Sequence, residues 1–349
     1  MMMLAILLVT AVGAGFAAAE LTGNITDVGA GFAAEPKGLW HLPPFRSPSE
    51  KAAFLRAEHA AVLAQRAAMR QPAIRPAMLV MAGCSGSTWI STTLRRMLSR
   101  GAGVTLGHKY ELMQPKQNRF YTPELGIGGA LTLMHARAVA ANYTLFFKAH
   151  PRSLIGPHGL KPSVAALLAL HPRVVLAWRE NELDQMVCKV RDCFGRSAGD
   201  SVDAMTGERT DLCEASRDEG AAGKHNKARL NVEKLEMRMR EASGMPQHWA
   251  HALEDAGIGA PIVNATYEKL SKFEHDASAL PYAIDNFRRL TAALGFHVSL
   301  EVARGELAPL AGTRLPPPSH RTTIFNFDEV QTTLAQPGVH HSVRALLRP

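Results

Sequence analysis

Cysteine is scarce in this chain: four residues among 349, at positions 84, 188, 193 and 213. That is too few for a small scaffold stapled by disulfides. No pair is spaced Cys-x-x-Cys and no His-Glu-x-x-His occurs, so the usual zinc signatures are missing and no metal is expected. Aromatic residues make up only 6% and there is no basic run. Stacking platforms and cationic tails are therefore not indicated, and nucleic acid is not an expected partner. The Walker spacing Gly-x-x-x-x-Gly-Lys-Ser/Thr is absent, which argues against a kinase-like nucleotide hydrolase. Beyond the first 19 residues no stretch is apolar for long enough to cross a bilayer, so membrane contact is expected only through the N-terminus.

The N-terminus itself is uncharged from Met1 to Ala19, with small residues at Ala17 and Ala19. A cleaved signal peptide and a short signal anchor both fit this pattern, and each directs the chain to the secretory pathway, to be held in the Golgi lumen or secreted. Three glycosylation tripeptides, at Asn24, Asn142 and Asn264, agree with a lumenal chain. Lys and Arg outnumber Asp and Glu by 39 to 31, an excess suited to an anionic ligand. Cys193 and Cys213 bracket a polar stretch. In an oxidising lumen a bridge there would close that loop, while separate thiols fit equally, since connectivity cannot be read from spacing.

Residues 20–76 read as an irregular Gly- and Pro-containing lead-in followed by one amphipathic helix. Ser47-Pro48-Ser49-Glu50 offers a capping box with Pro at the first helical position, and Leu55, Val62 and Met69 recur at sevens. From Ala77 onward strands and helices alternate. Strands are expected at 77–82, 104–107, 143–148, 173–178 and 261–266. Helices are expected after Ser87, at 131–141, 163–170, 183–192 and 227–241, around Trp249, and at 267–273 and 283–294. This pattern predicts a single α/β domain over 77–349, with a central parallel sheet flanked by helices and a P-loop-like strand-loop-helix at its start.

The turn Gly83-Cys84-Ser85-Gly86-Ser87-Thr88 has the ingredients of an anion cradle. Small residues let backbone N–H groups approach the ligand, and two hydroxyls stand where a helix N-terminus carries partial positive charge. Ser85-Gly86-Ser87-Thr88-Trp89 resembles the donor loop of the sulfotransferases that use 3′-phosphoadenylyl sulfate. Three further segments follow in that family's order. Phe147-Lys148-Ala149-His150-Pro151 resembles the strand end that supplies a catalytic histidine. Val174-Val175-Leu176-Ala177-Trp178-Arg179 resembles the strand whose Arg grips the donor's 3′-phosphate, and Tyr267-Glu268-Lys269-Leu270 resembles a strand-Tyr-Glu-x-Leu element.

The resemblance implies transfer of a sulfuryl group from 3′-phosphoadenylyl sulfate to a hydroxyl acceptor, expected to be a carbohydrate, without a metal. It places Gly83, Cys84, Ser85, Gly86, Ser87, Thr88, Trp89, Arg179 and Cys188 around the donor. His150 is the expected base, with Glu111 its rival. The chain departs from the family at Cys84, where a Lys normally stabilises the departing phosphate, so Lys148 or Arg95 would supply that charge. It departs again near Val187, the position of the usual Ser, with Cys188 one residue later. No C-terminal Gly-rich donor segment is recognisable; His320-Arg321 or Arg314 would stand in for it. A catalytically silent homologue that retains the nucleotide cradle is the alternative these departures leave open.

Overall fold

A helix wholly outside the alternating pattern turns out to belong to the core. In the structure, a computed structural model, α1 (Pro48–Ala68) buries Ala52 and Leu55. It is tied to α3 (Gly126–Ala140) by a two-pronged pair in which Arg137 donates to both carboxylate oxygens of Glu58, at 2.7 and 2.9 Å. One half of its capping box forms, Ser47 Oγ accepting the Glu50 N–H at 3.1 Å, while the Glu50 carboxylate accepts the N–H of Arg46, one residue before the cap. The residues described are 40–68, 74–81, 84, 86–101, 105–113, 118–141, 143–156, 159–161, 164–194, 227–258, 263–336 and 347. The leader over 1–19, Asn24, Asn142, Gly83, Ser85 and Cys213 lie outside them.

The sheet begins with β1 (Ala77–Met81), whose five residues are all buried. The loop after it runs into α2 (Ser87–Gly101), then β2 (Thr105–Glu111), α3 and β3 (Thr144–Ala149). A helical turn α4 (Pro151–Leu154), a two-stranded hairpin β4 (Ile155–Gly156) and β5 (Gly159–Leu160), and a short α5 (Ala165–Leu168) lead to β6 (Arg173–Trp178). After α6 (Glu182–Phe194), α7 (Val232–Asp255) returns the chain to β7 (Val263–Thr266). The rest is helical: α8 (Tyr267–Ser271), α9 (Leu280–Ala293), α10 (Leu300–Leu307), α11 (His320–Thr323) and α12 (Phe327–Ala335).

The five strands lie in the order β2-β3-β1-β6-β7, every neighbouring pair parallel. A parallel sheet needs cover on both faces, which is why its strands read as nearly continuous apolar runs. Met78, Val80, Leu145, Phe147, Val174 and Leu176 face one layer with Leu55 and α3. Ala77, Leu79, Met81, Phe146, Val175 and Ala177 face the other, against α2, α9 and α10. A third cluster joins Leu183, Val187 and Val190 of α6 to Leu235 of α7 and to Ile324, Phe327 and Val330 near the C-terminus. The expected α/β architecture with its strand-loop-helix start is therefore present.

Three expectations are adjusted. The second strand is longer than 104–107, running to Glu111 through a register shift between Gly107 and Glu111. The helices expected at 227–241 and near Trp249 are one helix, α7, with Pro246 inside it. The helix expected at 163–170 contracts to the four residues of α5.

Candidate functional site

In an open parallel sheet, ligands are received at the carboxyl ends of the strands, beside the strand where the connections change direction. Here that strand is β1, flanked by β3 on one side and β6 on the other. Its register pairs Val80 with Ala149 and Met81 with Ala177. His150 therefore leaves β3 next to the last residue of β1, and Arg179 leaves β6 one residue beyond Trp178 on the other flank. Neighbouring strands stand about 4.8 Å apart, so the two side chains begin on either side of the loop.

The loop enters α2 through Gly86, whose carbonyl accepts the Ile90 N–H at 3.0 Å. Gly86 has φ +74, and a Cβ built there would land on the Tyr267 ring. Only glycine suits this position, both for its backbone and for the aromatic surface lying against it. Trp89 supports that ring edge-on, at 5.9 Å between centroids, and its indole N–H donates to Glu274 Oε1 at 3.0 Å. Burial raises the Glu274 carboxyl above its ordinary range, opposed by Arg314 at 3.0 Å and by the indole. The first turn of α2 holds no acidic residue and Thr88 is exposed, so no carboxylate of its own first turn offsets the positive end of this helix.

Cys84 also adopts a left-handed conformation, φ +58, which costs a non-glycine residue about 1–2 kcal/mol. Two bonds hold it there. Arg179 Nη1 donates to the Cys84 carbonyl at 3.2 Å, and Cys84 forms a disulfide with Cys188 on α6, their Cα atoms 5.7 Å apart. The two cysteines that mark the departures from the donor-site pattern are thus bonded to one another. The other bridge considered, between Cys193 and Cys213, involves Cys213, which lies outside the described residues.

Arg179 is the centre of the arrangement. Its Nη2 lies 3.3 Å from Asp184 Oδ2 and its Nε 3.3 Å from Glu268 Oε1, and its guanidinium covers the Tyr267 ring at 5.2 Å. The Nε–H is out of line with Glu268 and so makes no hydrogen bond, although it is buried. Glu268 also accepts the N–H groups of Glu180 and Asn181, at 2.8 and 3.2 Å, at the start of α6. Asn181 caps that helix by accepting the Asp184 N–H at 3.0 Å. Asp184 Oδ1 in turn meets Nε2 of the wholly buried His320 at 2.9 Å. Glu182, beside them, has its carboxyl raised by burial and by the charges of Glu268 and Glu180, against a lowering backbone hydrogen bond.

Sequence reasoning reached Arg179 and Cys188, and the structure brings both to the loop. Lys148 and His150 stand half-buried on β3, where the His150 carbonyl accepts the Ser153 N–H at 2.8 Å. Glu111 pairs in register with Lys148. It ends a strand on the far side of β3, one spacing further from the loop than His150. Arg95 is exposed two turns along α2, and Arg314 is engaged by Glu274. The contact between Asp184 and His320 was missed, since 136 residues separate the two and no local motif links them. No family model, curated protein or solved structure matches this chain.

Proposed function

We propose that the chain is a sulfotransferase, moving a sulfuryl group from 3′-phosphoadenylyl sulfate to a hydroxyl acceptor of carbohydrate type in the secretory pathway. The observation that carries this reading is the convergence, at the carboxyl end of β1, of a helix N-terminus with no acidic residue in its first turn, Gly86 under an aromatic ring, and Arg179 bonded to the loop itself. Amide donors and a planar guanidinium match the phosphate and sulfate groups of such a donor. Arg179 has five N–H donors, of which one holds the Cys84 carbonyl and one faces Asp184. The Nε–H, without a hydrogen bond, is a further donor for an anion once Glu268 shifts.

The transfer forms a bond from the acceptor oxygen to sulfur as the bond from sulfur to the phosphate oxygen breaks. The leaving group is adenosine 3′,5′-bisphosphate. The acceptor proton passes to the His150 imidazole, a base suited to neutral pH. Lys148, two residues before it on the same strand, is the cation assigned to the charge that develops on the departing phosphate.

A second reading, a silent nucleotide-binding homologue, is favoured by one specific observation. Asp184 and Glu268 already neutralise Arg179, and Glu182 adds a further carboxyl nearby. Calorimetry with adenosine 3′,5′-bisphosphate, beside a sulfate-transfer assay on a carbohydrate panel, separates the readings. Binding with transfer supports the enzyme, and binding without transfer supports the silent homologue. Preference for ATP with magnesium would overturn both.

A further inference from the structure

We infer that His320 is a positioning residue for Arg179, acting through Asp184, an inference that rests on the donor-site reading of Arg179. The imidazole is 0% exposed and its Nε2 meets Asp184 Oδ1 at 2.9 Å, while the other carboxylate oxygen lies 3.3 Å from Arg179 Nη2. A carboxylate only accepts, so Nε2 carries the proton of this bond. Each oxygen of Asp184 thus has its own partner, which fixes the rotation of the carboxylate and with it the face presented to the guanidinium. The same guanidinium reaches the Cys84 carbonyl, so the line of contacts runs from His320 to the loop.

The ring is itself held by a rigid support. Ser319 caps α11 by accepting the Arg321 N–H at 3.0 Å. The Ala228 N–H donates to the Thr323 carbonyl at 2.8 Å and the Phe325 N–H to the Ala228 carbonyl at 2.7 Å. Asn326 closes the segment with two bonds to the Leu230 backbone, at 2.8 and 3.0 Å. A buried imidazole with a charge-assisted bond is expensive to leave without its partner. Packing alone would be served by an aromatic hydrocarbon. The polar ring therefore has a purpose beyond filling space, and Asp184 is what it faces.

The test compares His320→Phe, which keeps a ring but no donor, with His320→Gln, which restores an N–H near the Nε2 position. Circular dichroism and melting establish folding. With the fold retained, His320→Phe should weaken binding of adenosine 3′,5′-bisphosphate about 10-fold, the scale of one charge-assisted hydrogen bond, with His320→Gln close to the unmodified protein. Asp184→Asn should weaken binding as His320→Phe does, and the double variant should be no worse than either. Equal losses in the Phe and Gln variants would reduce His320 to packing and overturn the inference, as would unchanged affinity in a folded His320→Phe. If His320→Phe does not fold, Asp184→Asn against the unmodified protein decides.

A readout independent of the nucleotide separates failure of this inference from failure of the donor-site reading. Modification of Arg179 by phenylglyoxal, mapped by mass spectrometry, should be faster in His320→Phe and Asp184→Asn than in His320→Gln and the unmodified chain. Equal rates would overturn the positioning role. A protein that binds no nucleotide but shows the expected rates would lose the donor-site reading alone.

Discussion

Replacing both members of the Cys84–Cys188 bridge by serine removes a covalent tie between residues 104 apart in sequence. In the chain-entropy account, opening a loop of that length returns conformational freedom to the unfolded chain equivalent to about 4.7 kcal/mol at 25 °C. Unfolding entropy near 2.1 cal/mol/K per residue, over roughly 240 described residues, turns this into a fall in Tm of about 9 °C. The bridge also holds Cys84 at φ +58 beside the Arg179 bond, so its loss should loosen the loop and weaken adenosine 3′,5′-bisphosphate as well. The assay is a melting curve with and without reductant, with the bridged peptide identified by mass spectrometry after alkylation. Reductant should lower the Tm of the unmodified protein to that of the double variant and leave the double variant unmoved. If the double variant melts within about 2 °C of the unmodified protein and binds nucleotide equally, the bridge holds neither the fold nor the loop.

Arg179→Ala should weaken adenosine 3′,5′-bisphosphate by ~1.5–3 kcal/mol, the range for a charge-assisted hydrogen bond, and calorimetry showing no change would remove it from the site. His150→Ala should leave that affinity nearly intact while lowering sulfate transfer by ~10²–10⁴-fold, with Glu111→Gln much milder; the reverse order would move the base to Glu111. Gly86→Ala should destabilise the fold by about 2–4 kcal/mol in denaturant unfolding, because a Cβ at positive φ is strained and displaces Tyr267. The native Glu274 carboxyl titrates above its unfolded value, so the stability tied to its proton is complete below the unfolded pKa and is lost as pH rises through the native one. Glu274→Gln should therefore gain in Tm over the unmodified protein as pH goes from 4 to 7.5. A gain that shrinks with pH would show that pairing with Arg314 outweighs desolvation.

The sheet was legible because a parallel strand covered on both faces must be apolar throughout. Met78-Leu79-Val80 and Val174-Val175-Leu176-Ala177 are such runs, and both are strands. The edge strand β2, Thr-Leu-Gly-His-Lys-Tyr-Glu, carries polar residues and a register shift, so its apolar beginning alone was readable. The helix α1 was legible from its capping box, but its burial against α3 depends on Glu58 meeting Arg137, 79 residues away. At the candidate site the backbone elements were readable, since the loop, His150 and Arg179 each end an apolar strand. The bonds among them were not. Nothing near Cys84 names Cys188, 104 residues away, and nothing near Asp184 names His320, because that contact follows from how the C-terminal segment folds back onto α6.

That fold-back sets an order on synthesis. Every described strand of the sheet and both bridging cysteines precede residue 267, so the sheet and its bridge can form before the segment from 320 to 326 is made. His320 and its Asn326 anchor emerge afterwards. Domains fold during translation from the N-terminal side, and a nascent chain of this protein therefore passes through a stage with a complete sheet in which Asp184 lacks its imidazole. The carboxylate that faces Arg179 thus gains its second partner only after the strands have been made.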